Sequence, residues 1–166
     1  MLTIAHICIM LFIATYAFLF KRNRFDYLFL VMNYLILLHW TFLNGECVIS
    51  YAFKKLEDPQ YTVGSNLHND EFKTTFKGYE KTVQIIILIH NLIFMLNLYL
   101  VFKRNRISPA IYIPFLLLFE IYFYGLYLFD NHCDNPQYFM FQDVIKYLLI
   151  GGGVVCSWLW FSKTRI

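Results

Sequence analysis

Charge is what this chain has least of. Of its 166 residues only 15% are Asp, Glu, Lys or Arg, whereas soluble domains carry about 25%. Set beside 59% apolar and 20% aromatic residues and a mean hydropathy of +0.51, that deficit excludes a disordered tail, a nucleic-acid-binding domain and an ordinary soluble enzyme. Recognisable reaction chemistry is missing too. The sequence has no nucleophile elbow, no Walker-type phosphate loop and no dinucleotide fingerprint, and Gly151-Gly152-Gly153 sits in an apolar stretch without a preceding strand. His132-Cys133-Asp134, and His68 with Asp70, lack the spacing of metal ligands, so neither a metal nor a cofactor is expected. Thr62-Val63-Gly64 is a fragment of a potassium filter without the following Tyr-Gly.

What fills the chain instead is apolar runs. A spanning helix needs roughly 20 mostly apolar residues, because the hydrocarbon core is about 30 Å thick. Five stretches qualify: 2–20, 25–43, 83–102, 107–129 and 144–161, the last interrupted by its three glycines. Ser108-Pro109 suits the start of the fourth, with a capping hydroxyl ahead of a residue that has no amide hydrogen to lose. The expected fold is therefore an all-α, polytopic bundle of five transmembrane helices forming one membrane domain. No basic segment precedes the first run and no small-x-small site follows it, so it is expected to stay attached.

Basic residues orient these helices. Lys21, Arg22 and Arg24 fall between the first two spans, Lys103, Arg104 and Arg106 between the third and fourth, and Lys163 and Arg165 after the fifth. Short loops rich in Lys and Arg stay cytoplasmic, which predicts an outer or lumenal amino terminus and a cytoplasmic carboxyl terminus. Glu57, Asp58, Asp70, Glu71, Asp130 and Asp134 lie on the opposite side. The net charge of +3 points to anionic membrane lipid, not nucleic acid, as the partner of the inner clusters.

The pentapeptide Phe-Lys-Arg-Asn-Arg occurs at 20–24 and again at 102–106, 82 residues later, each time between two spans. Asp58-Pro59-Gln60-Tyr61 is likewise echoed by Asn135-Pro136-Gln137-Tyr138, 77 residues on. Two helices per unit would make a parallel repeat about an axis along the membrane normal, with the fifth helix added; the other reading is that basic connectors resemble one another for topological reasons.

The outer segment 44–80 is too short to bury a core. Cys47 to Phe53 is apolar enough to continue the second helix past Gly45 or to run along the interface until Asp58-Pro59 stops it. Residues 70–79 read as a short amphipathic surface helix. Cys47 and Cys133 both fall just beyond span ends on this side, where an oxidising lumen would allow one disulfide between them; a reducing compartment would leave two thiols.

Ionisable residues inside spans are costly and mark candidate sites. His90 and Glu120 reach similar depths from the outer surface, and His39 with Glu46 would extend them into a polar track for protons or cations. The competing reading is an interhelical hydrogen bond that fixes register. In the fifth span Gly152 with Cys156, and Gly153 with Ser157, put small residues four apart, a face that lets another helix approach closely. The run His39-Trp40, Asn44-Gly45-Glu46-Cys47-Val48-Ile49-Ser50-Tyr51, Lys54-Lys55 and Asp58-Pro59 resembles a segment of small multi-pass membrane proteins of unknown function, a resemblance that implies no activity. The heavy use of Phe, Tyr, Ile, Asn and Lys is similar to that of proteins from AT-rich genomes, including large DNA viruses. Two functions follow from the sequence: a non-enzymatic structural or assembly component that packs as a homo-oligomer or on a membrane-protein partner, or a small channel or proton-linked transporter using His39, Glu46, His90 and Glu120.

Overall fold

A computed structural model describes residues 2–63, 76–128 and 135–163, with side chains left undescribed at 2–6, 80, 127–128 and 156–163. The described residues form six helices and no strand: α1 (Leu2–Leu19), α2 (Phe25–Phe42), α3 (Val48–Glu57), α4 (Glu80–Arg104), α5 (Pro109–Leu128) and α6 (Pro136–Lys163). Four stretches are long and apolar enough to cross a bilayer: Phe25–Phe42, Lys81–Arg104, Pro109–Leu126 and Pro136–Val155. α1 adds the shorter apolar stretch Ile7–Leu19.

Local chemistry sets the helix ends. The Asn23 side-chain carbonyl accepts the Phe25 amide at 2.8 Å and opens α2. α2 stops because Asn44 (φ 49°) and Gly45 (φ 90°) turn left-handed, and the Gly45 amide reaches back to the Trp40 carbonyl at 2.7 Å in a Schellman closure. The chain therefore does not continue α2 past Gly45; it starts a separate helix, α3, from Cys47. Asp58 then closes α3 by donating its amide to the Lys54 carbonyl, and its carboxylate takes the Gln60 amide at 2.9 Å. Ser108-Pro109 opens α5 as expected, with the Ser108 carbonyl accepting the Ile111 and Tyr112 amides.

The last helix departs from expectation most. It begins at Pro136, eight residues before 144, with the Asn135 side chain accepting the Gln137 amide at 2.9 Å. Gln142 and Asp143 depress hydropathy there, yet neither breaks the helix: Gln142 is buried and donates one turn back to Tyr138, and Asp143 pairs with Lys146 one turn on. Gly151, Gly152 and Gly153 stay helical. The expected 70–79 helix falls largely outside the described residues, and 76–78 form a turn.

The chain divides into two units, within Met1–Met32 and Asn69–Leu116 for the first and Asn33–His68 and Leu117–Ile166 for the second. α1 and α4 lie wholly in the first, which also takes the starts of α2 and α5. There α1 and α4 run parallel, because their partners climb together: Met10 with His90, Ile13 with Asn97, then Phe20 with Arg104. Tyr16 stacks on Phe29 with ring centroids 4.2 Å apart, so the start of α2 folds back along α1. In the second unit α6 runs antiparallel to the end of α2: the Tyr34 hydroxyl donates to the Leu149 carbonyl at 2.8 Å, and the Tyr138 hydroxyl to the Asn44 carbonyl at 2.6 Å. A Cβ added at Gly153 would collide with the Tyr34 hydroxyl, and one at Gly125 with the Phe141 ring, so glycine is required at both close approaches.

Candidate functional site

The strongest electrostatic centre of the first unit was not anticipated as a site. Asp26, in the first turn of α2, is fully buried. Its carboxylate accepts from Arg104 Nε at 2.8 Å and Nη2 at 2.5 Å, from Asn105 Nδ2 at 2.6 Å and from the Tyr16 hydroxyl at 3.1 Å. A carboxylate offers about four lone-pair positions, so these bonds saturate it. Arg104 Nη1 also donates to the Phe20 and Ala17 carbonyls at the end of α1. A cation thus sits at the carboxyl end of α1 and an anion at the amino end of α2, each matched to its helix dipole. Two turns away Asn97, also fully buried, lies across the Ile13–Ala17 step of α1, donating to the Ile13 carbonyl and accepting the Ala17 amide. These groups clamp α1, α2 and α4 together.

The second unit holds two polar clusters. At the end of α2 the buried Glu46 receives Lys54 Nζ at 2.8 Å and the Tyr61 hydroxyl, and Lys54 also reaches that hydroxyl at 3.3 Å. This ties α3 and its following turn back to the end of α2. Burial pulls the Lys54 ammonium down, but its hydrogen bond to Glu46 and the attraction of that carboxylate outweigh burial and raise it above 10.5. Burial and the Glu46 hydrogen bond push the Tyr61 phenol above its ordinary 10.0.

The other cluster joins α2, α5 and α6. Gln142 Nε2 donates to the Tyr138 hydroxyl at 2.7 Å, which donates in turn to the Asn44 carbonyl. Trp40 and Phe141 stack on Tyr122 at 6.3 and 6.1 Å. Tyr122 Oη and Gln142 Oε1 are buried without a hydrogen-bond partner among the described residues, as is His39 Nε2.

The residues of the expected His39–Glu46–His90–Glu120 track belong to different units. His90 belongs to the first unit, where its ring bonds the Met10 carbonyl at 3.0 Å and stacks on Phe94. His39, Glu46 and Glu120 belong to the second. His39 Nδ1 lies 3.3 Å from the Leu35 carbonyl, one turn back in its own helix, Glu46 is committed to Lys54 and Tyr61, and Glu120 is half-buried in α5. Cys47 is half-buried at the start of α3, while Cys133 lies outside the described residues. Gly152 has open space around it and Gly153 faces Tyr34; the side chains of Cys156 and Ser157 are not described. Among the described residues no three His, Cys, Asp or Glu side chains come together.

Asp26 had a signal in the sequence: it is an acidic residue set against a basic connector, on the side otherwise left to Lys and Arg. The two Phe-Lys-Arg-Asn-Arg copies also differ in structure. The first follows the end of α1, whereas the second is helical through Arg104 and then turns at Arg106 (φ 56°). No family model, curated protein or solved structure matches the chain.

Proposed function

We propose that the chain is a non-enzymatic integral membrane protein that crosses the bilayer five times, with an outer or lumenal amino terminus and a cytoplasmic carboxyl terminus. It works as a structural or assembly component, packing with a second copy or a membrane-protein partner. The observation that carries this reading is the direction of its polar groups. Asp26, Asn97, Tyr34 and Tyr138 are spent on partners inside their own unit, while outward faces such as Ile85, Ile86, Leu88, Ile89 and Leu92 of α4 are exposed and apolar. Such a surface is suited to lipid and to neighbouring helices.

The parallel pairing of α1 and α4 supports the alternation of spans, since α2 must cross back between them. Their bonded pairs are separated by 80 to 87 residues, a range that includes the 82 residues between the two pentapeptides. Equivalent residues at equal depth are what a parallel repeat about the membrane normal would give. Gly152 on α6, with open space around it, supplies the face where another helix would approach. The test is the mass of the purified protein in detergent: the native chain should sediment as a multiple of 20.0 kDa, and Gly152→Leu should return it to the monomer. A native monomer would overturn self-association.

The second reading, a small ion channel or proton-linked transporter, draws on one observation: His39 Nε2 is buried without a partner, which leaves an ionisable nitrogen available for proton exchange. It requires flux that depends on His90 and Glu120.

A further inference from the structure

Phe12, Tyr16 and Phe20 stand four apart along α1 and form a cluster of rings, with centroids 6.0 Å apart for Phe12–Tyr16, 5.3 Å for Tyr16–Phe20 and 6.4 Å for Phe12–Phe20. Beside it lies an open groove of about 590 Å³, walled by these rings and Phe25, with Lys21 and Arg22 at its rim. Phe12, Phe20, Phe25, Lys21 and Arg22 are all exposed. Asn23 holds the rim in place by bonding the Lys21 carbonyl and the Phe25 amide. The neighbouring carboxylate, Asp26, does not cancel the rim charge because it is buried and already held by Arg104. Arg24, over the Phe25 ring at 5.0 Å, adds a third cation to the same connector.

We propose that this groove binds one anionic phospholipid, its phosphate against Lys21 and Arg22 and an acyl chain along Phe20 and Phe12. The Phe12 and Phe20 ring centroids lie 6.4 Å apart, so the rings make a compact apolar wall next to the cationic rim, against which an acyl chain can lie. A soluble anion would use the rim and leave the aromatic wall bare, whereas a diacyl lipid satisfies both at once. Basic pockets at the cytoplasmic end of spanning helices are suited to such headgroups. The proposal rests on α1 and α2 being spans of the five-helix reading, but not on which side the connector faces.

The experiment is native mass spectrometry of the protein released from nanodiscs made of equal phosphatidylglycerol and phosphatidylcholine. Both faces of a nanodisc are open, so an inverted topology would leave the result unchanged and is checked separately by impermeant labelling. The native chain should retain phosphatidylglycerol preferentially. Lys21→Gln with Arg22→Gln should cut that preference roughly thirtyfold, at about fivefold per basic residue near the headgroups. Phe12→Ala with Phe20→Ala should reduce retention of the lipid, and millimolar inorganic phosphate should not displace it. Three results would overturn the site: no preference in the native chain, an equal loss from Lys103→Gln with Arg106→Gln on the other connector, or retention indifferent to the aromatic pair, which would leave a phosphate site only.

Discussion

The two units handle interior polarity differently. The first buries a full charge and saturates it, giving Asp26 four donors from three residues and leaving Arg104 shared between Asp26 and the end of α1. The second buries one charge, Glu46, held by Lys54 and Tyr61, and beside it neutral groups of which some are unmet, with Tyr122 Oη and Gln142 Oε1 facing no partner among the described residues. An unpaired ion in low dielectric costs far more than an unpaired hydroxyl or amide oxygen. Strict pairing is therefore demanded of Asp26 in the first unit and of Glu46 in the second, and slack is tolerated at the neutral Tyr122 and Gln142.

The sharpest way to break that contrast is to remove one partner of the ion pair. Arg104→Ala should destabilise the protein by about 3–5 kcal/mol, since it leaves a buried carboxylate uncompensated. Asp26→Asn combined with Arg104→Met should cost markedly less, and thermal unfolding in detergent will read both. If the double variant is as damaged as the single one, the ion pair is not the source of the effect. Next in size is a packing change in the second unit: Gly125→Ala puts a methyl group into the Phe141 ring and should cost about 1–3 kcal/mol. Gly151→Ala meets open space, so its unfolding temperature should be unchanged or slightly raised through better helix propensity.

Smaller still, and opposite in sign, is Tyr122→Phe. Deleting a buried hydroxyl that makes no bond should stabilise by about 1 kcal/mol. Destabilisation of that size would mean that the hydroxyl has a partner and that the second unit is as strictly satisfied as the first. The least expected effect is one of pH. Tyr61 and Lys54 hold their protons more tightly when folded than their ordinary values of 10.0 and 10.5, so their contribution is fully present below about pH 10 and is lost as pH rises through the raised folded values. Tyrosine-labelled NMR titration should place Tyr61 above 10.0, and Glu46→Gln should move it back; a native Tyr61 that titrates at or below 10.0 would remove the Glu46 contact from the account.

The helical layout was legible because hydropathy reports the lipid-facing surface directly: the expected 25–43 became Phe25–Phe42, and Ser108-Pro109 opened α5. The start of α6 was not, because Gln142 reads as a surface residue in any hydropathy window although its amide is used one turn back at Tyr138. Depth was all that the sequence offered for the polar track. Equal depth along two helices says nothing about which faces they present, and His90 turns toward α1, where the Met10 carbonyl takes its ring nitrogen. Asp26 was overlooked because the basic connector was read for topology, while the carboxylate beside it has the deciding local role.

Whether the interior polarity is structural or conductive is decided most directly by proton flux into liposomes carrying the purified chain. The account predicts flux at the protein-free level, unaltered by His90→Ala or Glu120→Gln. Flux above that level which falls in both variants would contradict it.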